Sequence, residues 1–413
     1  MSRSRIAQEF PLDQADSLPF WRRPFFMLAL MAMGSAMAFA TWMAVISNFI
    51  IEVVHFDGSE NGWMHTVREI PGFMAFLAIF IFALIKEQTF GLISLALLGI
   101  GTAVTAEFPT FQGVLLATFV SSLGFHYYET VAQSLQLQWL PKDKAPRLLG
   151  WITAAGSAGS LIAYGVIVAT WKTFDLSYAT VLYSAGGVCV AIALYCRLVF
   201  PTFKAEHAQR HQIVLKTRYW LYYALVFMGG ARRQIFVVFA AFMMVELFGF
   251  ELHHVTGLLL INYVVAMLFA PVVGQLITYR GERFTMILEY IGLIIVFVLY
   301  AGVYWFEWPW EVAAVLYVVD HILFSMAFAQ KTYFQKIADP EDQAPTAAVA
   351  FTINHIAAVF LPAALGYLWL ISPSSVYVLA ASMAVVSLVL ATLAPRHPEK
   401  GRETVFSPAA VTV

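Results

Sequence analysis

Two adjacent arginines, Arg232 and Arg233, stand in the stretch Met228–Met244, MGGARRQIFVVFAAFMM, where Gln234 is the only other strongly polar side chain. Arg68, Glu69, His126, Glu129, Asp320, His321 and His355 also lie inside long apolar runs. An ionisable group at the centre of a bilayer costs about 2.5–3.5 kcal/mol on insertion scales, so it faces a water-filled cavity or a partner. Each residue type has its own chemistry. A guanidinium keeps its proton, and its planar fork matches carboxylate and phosphate. Histidine titrates near neutral pH and carries protons. The set His126, Glu129, Asp320, His321 and His355 also contains the ligand types of divalent metals, although three arginines nearby would repel a cation. Neither the phosphate-binding pattern G-x-x-x-x-G-K-[ST] nor the metalloprotease pattern H-E-x-x-H occurs. The expectation is therefore neither an ATP-driven machine nor an enzyme, with no cofactor and no resident metal.

The elements that position these groups follow from composition. The chain has 413 residues, 61% hydrophobic and 12% charged, with a mean hydropathy of +0.75. Soluble domains carry about 25% charged residues, twice what is found here, so the surface must face lipid. A net charge of −1 gives no reason to expect nucleic acid. Cys189 and Cys196 lie two helical turns apart, about 10 Å, too far for a disulfide. The apolar run after residue 23 continues to about Val54. A signal-peptide core has roughly 7–15 residues, so this run is expected to remain as a membrane helix.

A bilayer core takes about 20 apolar residues per helix. Twelve spans result: 24–54, 60–85, 88–106, 109–138, 147–170, 176–200, 219–248, 255–278, 284–305, 309–337, 346–370 and 374–394. HFDGSEN, KEQ, PKDKAPR, YRGER, DPEDQAP and SPSS mark breaks between them. The organisation predicted is an N-terminal tail 1–23, a six-helix bundle 24–200, a linker 201–218, a second six-helix bundle 219–394 and a C-terminal tail 395–413. Lys and Arg favour cytoplasmic loops. With the N-terminus inside, 20 of the 24 fall on the inner side, Lys172 alone outside, and Arg68, Arg232 and Arg233 within spans. Both termini are then cytoplasmic. The halves also repeat: AQSLQLQWLPKDKAP (132–146) and AQKTYFQKIADPEDQAP (329–345) share Ala-Gln, a Gln five residues on, and Pro followed after three residues by Ala-Pro. Each copy closes the fourth span of its half, the mark of a parallel duplication.

Twelve spans, a 6+6 parallel repeat, a basic central linker and inside termini together resemble the major facilitator superfamily of secondary transporters, over nearly the whole chain. That family often carries a G-x-L-a-D-R-x-G-R-R loop after its second and eighth helices. GQLITYRGER (274–283) is similar to it at Gly274, Leu276, Gly281 and Arg283, with Thr278 in place of Asp. No first copy is recognisable around Lys86. The proline motif of the drug antiporters in helix 5 and the helix 4 arginine of proton-driven members are missing too. These departures count against a drug/proton antiporter.

The resemblance implies an all-α membrane protein of two six-helix bundles, with helices 1, 4, 7 and 10 around a central cavity and 2, 5, 8 and 11 beside them. The intramembrane charges fall mainly on those helices. Counting about 1.5 Å per residue, Arg68, Glu69, Arg232, Arg233, Asp320, His321 and His355 share one layer from midplane to outer half, whereas Glu289 falls near the inner end of its span. In that layer three arginines exceed two acids by one positive charge, which a substrate anion would balance. Arg68, Arg232, Arg233, His321 and His355 are the expected substrate contacts. Glu69, Asp320, His126 and Glu129 are the expected proton-coupling or gate residues, with His126 and Glu129 walling an inner vestibule. Gly229-Gly230 would loosen the helix before the arginines. Adjacent arginines diverge by about 100° on a helix, so one of them instead bridges to Asp320 or Glu69 as architecture.

The resulting expectation is a monomeric secondary transporter of the inner or cytoplasmic membrane that moves a small organic anion or zwitterion, coupled to protons. Its partners are the substrate, protons and the lipid bilayer. The alternatives are a divalent-metal or drug exporter of the same fold, or a non-transporting scaffold or sensor.

Overall fold

The computed structural model describes residues 9–77, 80–81, 84–141, 145–204, 215–339 and 342–407. Of the expected tails and linker, residues 1–8, 205–214 and 408–413 lie outside the described residues, as do 78–79 and 82–83 of the second span and 142–144 and 340–341 of two turns.

The apolar runs form helices. α1 (Pro24–Glu52) opens on proline, which loses no hydrogen bond in a first turn. α2 (Gly58–Phe73) contains Pro71 and passes into a 3₁₀ turn, Met74–Leu77. α3 (Glu87–Val104) and α4 (Phe111–Trp139) follow, then α5 (Ala145–Thr170) and α6 (Tyr178–Val199). Thr110 caps α4 by accepting from the Gly113 N–H at 3.1 Å, and Ser177 caps α6 by accepting from Thr180 at 3.2 Å. Each cap satisfies a backbone donor that the first turn leaves over. A short parallel pair, β1 (Glu9–Pro11) with β2 (Thr202–Lys204), aligns Phe10 with Phe203.

In the second half, α7 (Trp220–Ile235) runs into a π-helical turn, Phe236–Ala240, and then α8 (Ala241–Phe248). α9 (Leu252–Trp305) is 54 residues long but breaks at Gly281, with φ 80° and ψ 168°. That backbone region is open to glycine and strained for other residues. The expected spans 255–278 and 284–305 are thus its two arms, joined by one residue inside the YRGER turn. α10 (Trp310–Ser325), α11 (Phe328–Ile337), α12 (Gln343–Ile371) and α13 (Pro373–Thr392) complete the chain.

Among the described residues, nine helical stretches are long and apolar enough to cross a membrane, the 54-residue α9 counted once. α2 and α4 are not among the nine. α2, with 16 described residues, is too short to count, whereas the 29-residue α4 carries His126 and Glu129 in its middle.

The chain divides into two compact units, Met1–His55 with Val67–His211, and Phe56–Thr66 with Gln212–Val413. The first unit packs α1 on α5 and α6, and α3 on α4 and α6. Met31, Leu95, Leu98, Tyr128, Val131 and Cys189 belong to its apolar core. Both cysteines are free and buried, and the Cys189 thiol donates to the Leu95 carbonyl at 3.3 Å. Small residues bring these backbones together: a Cβ on Gly186 would lie 2.3 Å from the Gly99 carbonyl, and one on Gly124 would lie 2.2 Å from the Leu98 nitrogen.

In the second unit α9 packs on α13 and α10, while α7 packs on α12 and α13. The segment 56–66, expected in the N-terminal bundle, clusters here instead. Gly62 lies so close to α12 that a Cβ would stand 2.2 Å from the Pro362 carbonyl. Thr66 Oγ1 accepts from the Ala363 N–H at 3.1 Å. A polar, glycine-bearing first turn of α2 is what permits this approach.

Candidate functional site

The first unit holds a local ion pair. Arg68 and Glu69 are neighbours on α2, yet their long side chains meet, the Arg68 Nε donating to Glu69 Oε1 at 3.0 Å. Both are buried. The same guanidinium lies 3.3 Å from the Met43 sulfur and 5.8 Å from the centre of the Trp42 ring, both on α1. From α4 the Ser122 hydroxyl donates to the Arg68 carbonyl. His126 Nδ1 lies 3.0 Å from both the hydroxyl and the carbonyl of Ser122. A carbonyl only accepts, so this nitrogen carries the proton toward it. Glu129 follows one turn later, half-buried.

The second unit holds a larger cluster. Arg232 on α7 is 1% exposed and its Nη2 donates to Glu289 Oε1 on α9 at 3.3 Å. Its guanidinium also lies over Tyr290 at 4.7 Å and near Phe324 at 5.8 Å, contacts that favour a cation electrostatically. Gln330 Nε2 donates to the Tyr290 hydroxyl at 2.8 Å and fixes that ring. Asp320 on α10 is fully buried, and neither of its carboxylate oxygens is hydrogen-bonded by another described residue. The same holds for Arg232 Nε and Nη1 and for Glu289 Oε2. Arg232 and Glu289 both lie within electrostatic reach of Asp320.

Arg233, one residue on, is half-buried. Its Nη2 donates to Asn354 Oδ1 on α12 at 3.3 Å. Asn354 in turn donates to the Val226 carbonyl at 3.4 Å. The helices touch because Gly230 has no side chain: a Cβ there would lie 2.4 Å from the Asn354 carbonyl. The expectation that Gly229-Gly230 loosens the helix is therefore corrected. α7 stays helical through both, and the irregularity is the π turn at Phe236–Ala240. There the Val238 carbonyl accepts from Asn61 at 3.0 Å and the Phe239 carbonyl from Tyr377 at 3.3 Å. Side chains thus supply donors at the turn where the regular ladder is disturbed.

His321 is half-buried, its ring 6.4 Å from that of Phe236. His355 is buried, with Nδ1 2.8 Å from the Phe351 carbonyl and its ring 4.3 Å from that of Phe351. By the same acceptor argument its Nδ1 carries the proton.

One further expectation is corrected. Counting residues from the start of its span placed Glu289 at the inner end, outside the charged layer, and left one positive charge over. Glu289 instead pairs with Arg232, so within the second unit two acids, Glu289 and Asp320, stand with Arg232 and Arg233. The count misled because a helix does not start at the membrane plane. The end of the second unit that carries Lys216 and Lys336 holds a polar network beyond the first turns. Lys216 Nζ lies 2.7 Å from Asp342, Arg218 2.9 Å from Asp339, and Lys336 2.7 Å from Glu282. The Lys216 hydrogen bond holds the Asp342 carboxyl below the usual carboxylate range. Lys400 does the same for Asp339, and Asp342 raises Lys216.

Against this geometry stands a sequence match to the Major Facilitator Superfamily over residues 25–362. The chain belongs to the major facilitator superfamily. It is thus an integral, multi-pass membrane protein of the secondary-transporter kind. No curated relative matches it by sequence. Solved structures with the superfamily fold include a mutant of the nucleoside transporter NupG, with TM-score 0.73, 16% identity and coverage of 89% of this chain and 99% of that one. A POT family transporter in complex with 5-aminolevulinic acid has TM-score 0.72 at 11% identity, covering 91% and 98%. A D-xylose-proton symporter has TM-score 0.67 at 12% identity, covering 89% and 96%.

For this superfamily member, Glu289, Tyr290, Gln330 and Asn354 are the cluster residues that sequence reasoning passed over. Glu289 alone left a visible signal, an acid in the apolar run MILEYIGLIIVF.

Proposed function

We propose that this superfamily member carries a small organic anion or zwitterion across the inner or cytoplasmic membrane by alternating access, coupled to protons, as a monomer with both termini cytoplasmic. The carrying observation is the division of labour between two adjacent arginines. Arg232 is fully buried and committed to Glu289, whereas Arg233 is half-buried and its Nη2 donates to the neutral amide of Asn354. A guanidinium presented in this way offers a planar fork to a carboxylate or phosphate. His321 and His355 are the further substrate-layer candidates. Asp320, buried beside this helix, is the proton-coupling candidate. Arg68 is a substrate-layer candidate too, and Glu69 with His126 and Glu129 serves the gate and the vestibule. In support, a transporter of this fold binds the zwitterion 5-aminolevulinic acid, and another is a proton symporter.

Thermal-shift titration of the purified protein with simple mono- and dicarboxylates, 5-aminolevulinic acid, nucleosides and D-xylose tests the class. A charged ligand is expected to stabilise the protein, and to do so less in Arg233→Gln. In proteoliposomes that ligand should accumulate when a pH gradient is imposed. Stabilisation by nucleoside or xylose alone would overturn the anion assignment.

A further inference from the structure

The buried acids and Arg232 do not balance. Arg232 contributes one positive charge, and Glu289 and Asp320 contribute two negative ones if both are ionised. All three are essentially inaccessible, at 1%, 0% and 0% exposure. The guanidinium meets one oxygen of Glu289. The second Glu289 oxygen and both Asp320 oxygens have no hydrogen-bond partner among the described residues. A buried ionised carboxylate without compensation is strongly disfavoured and takes up a proton instead.

The remaining neighbours do not supply the missing charge. Tyr290 and Tyr300 face the cluster from α9, Tyr317 and His321 stand with Asp320 on α10, and Tyr377 faces it from α13. Tyrosine is neutral below about pH 10. His321 lies beside the Phe236 ring. Arg233, the next guanidinium on α7, donates to Asn354 on α12, and the charged groups acting on Asp320 are Arg232 and Glu289.

We propose that Arg232, Glu289 and Asp320 form one shared proton-binding site wholly inside the C-terminal unit, in which the guanidinium matches one carboxylate and a single proton neutralises the other. In the arrangement seen here Glu289 is the matched acid and Asp320 holds the proton. A shift of the guanidinium toward Asp320 would exchange the two roles. Glu289 is thereby as much a part of the proton site as Asp320. The site sits one residue from Arg233 and one turn from the π segment at Phe236–Ala240, so a change of pairing is felt on the same helix that presents Arg233. With the proton bound, Arg232, Arg233, Glu289 and Asp320 together carry one positive charge, the charge a bound monoanion would match.

The coupling consequence rests on the transport reading above, but the proton site is tested without any substrate. Infrared spectroscopy of the purified full-length protein near neutral pH reads the carbonyl stretch of neutral carboxylic acids. In variant-minus-wild-type differences, Asp320→Asn and Glu289→Gln should each lose one and the same neutral-acid band, because either change leaves Arg232 with a single acid. Arg232→Gln should gain a band. Thermal melting in the same samples identifies any variant that fails to fold, and Asp320→Glu, which retains the acid, should keep the band. Loss of a band in only one of the two acid variants, or in neither, overturns the shared site. If the bands behave as stated while a pH gradient drives no uptake, the site stands and the coupling reading falls.

Discussion

The two units each bury an arginine beside an acid, and they do it differently. In the first, Arg68 and Glu69 are consecutive residues of α2, and the pair is made within one helix. In the second, Arg232 reaches from α7 to Glu289 on α9, with Asp320 of α10 a second acid in reach. A pair made within a helix does not itself join one helix to another. A pair made between helices binds the bundle, and a surplus acid gives it two arrangements.

The largest effect should come from Arg232. Arg232→Gln leaves buried Glu289 without its partner, and breaking a buried pair costs about 3–5 kcal/mol. Chemical or thermal unfolding should show that loss, and adding Glu289→Gln should recover most of it. Arg68→Gln should cost less, about 1–3 kcal/mol for one acid left unsatisfied, and Arg68→Gln with Glu69→Gln should return close to wild type. If the two arginines cost the same, and each is fully rescued by its nearest acid, the contrast between the units disappears.

Much of this contrast was legible in the sequence, and part was not. The charged types inside apolar runs pointed to every acid and base of the cluster except Glu289. Hydropathy marked its run as membrane-spanning, but depth counted along one helix does not say what lies opposite on another. Arg232 and Arg233 were recognised as a pair whose members must diverge, yet only packing against α9 and α12 assigns Glu289 to one and Asn354 to the other. The YRGER turn was placed correctly as a break, while its reduction to the single residue Gly281 depends on a backbone angle that no pattern shows. Gly230 was noted for its flexibility, when its use is the close approach of Asn354.

That approach makes a smaller prediction. Gly230→Ala would push α7 from α12 and cost about 1–3 kcal/mol of stability, as overpacking does. Ligand binding should weaken as well, because Arg233 is displaced from Asn354. Unchanged binding in a correctly folded variant would separate Asn354 from the site.

The smallest expected effect is at the Lys216–Asp342 end of the second unit. Asp339 and Asp342 titrate below their usual range because Lys400 and Lys216 bond them. Their stabilising contribution is therefore present above the unfolded value of about 3.9 and lost as pH falls through the lower native values. The raised Lys216 behaves oppositely, its share being lost only as pH rises through its native value, above the ordinary 10.4 or so. Amide protection at residues 215–219, taken relative to the intrinsic exchange rate at each pH, should be high at neutral pH and lower on strong acidification. The buried Arg68–Glu69 region provides the comparison.

The most direct measurement is ligand binding to Arg233 variants that remain folded. With the charged ligand found by thermal shift, Arg233→Gln should bind weakly, and Arg233→Lys should also stay weak because an ammonium cannot restore the planar fork. Both should melt near wild type, in contrast to Arg232→Gln. If both Arg233 variants bind the ligand as the wild type does, the guanidinium on α7 is not where the anion sits.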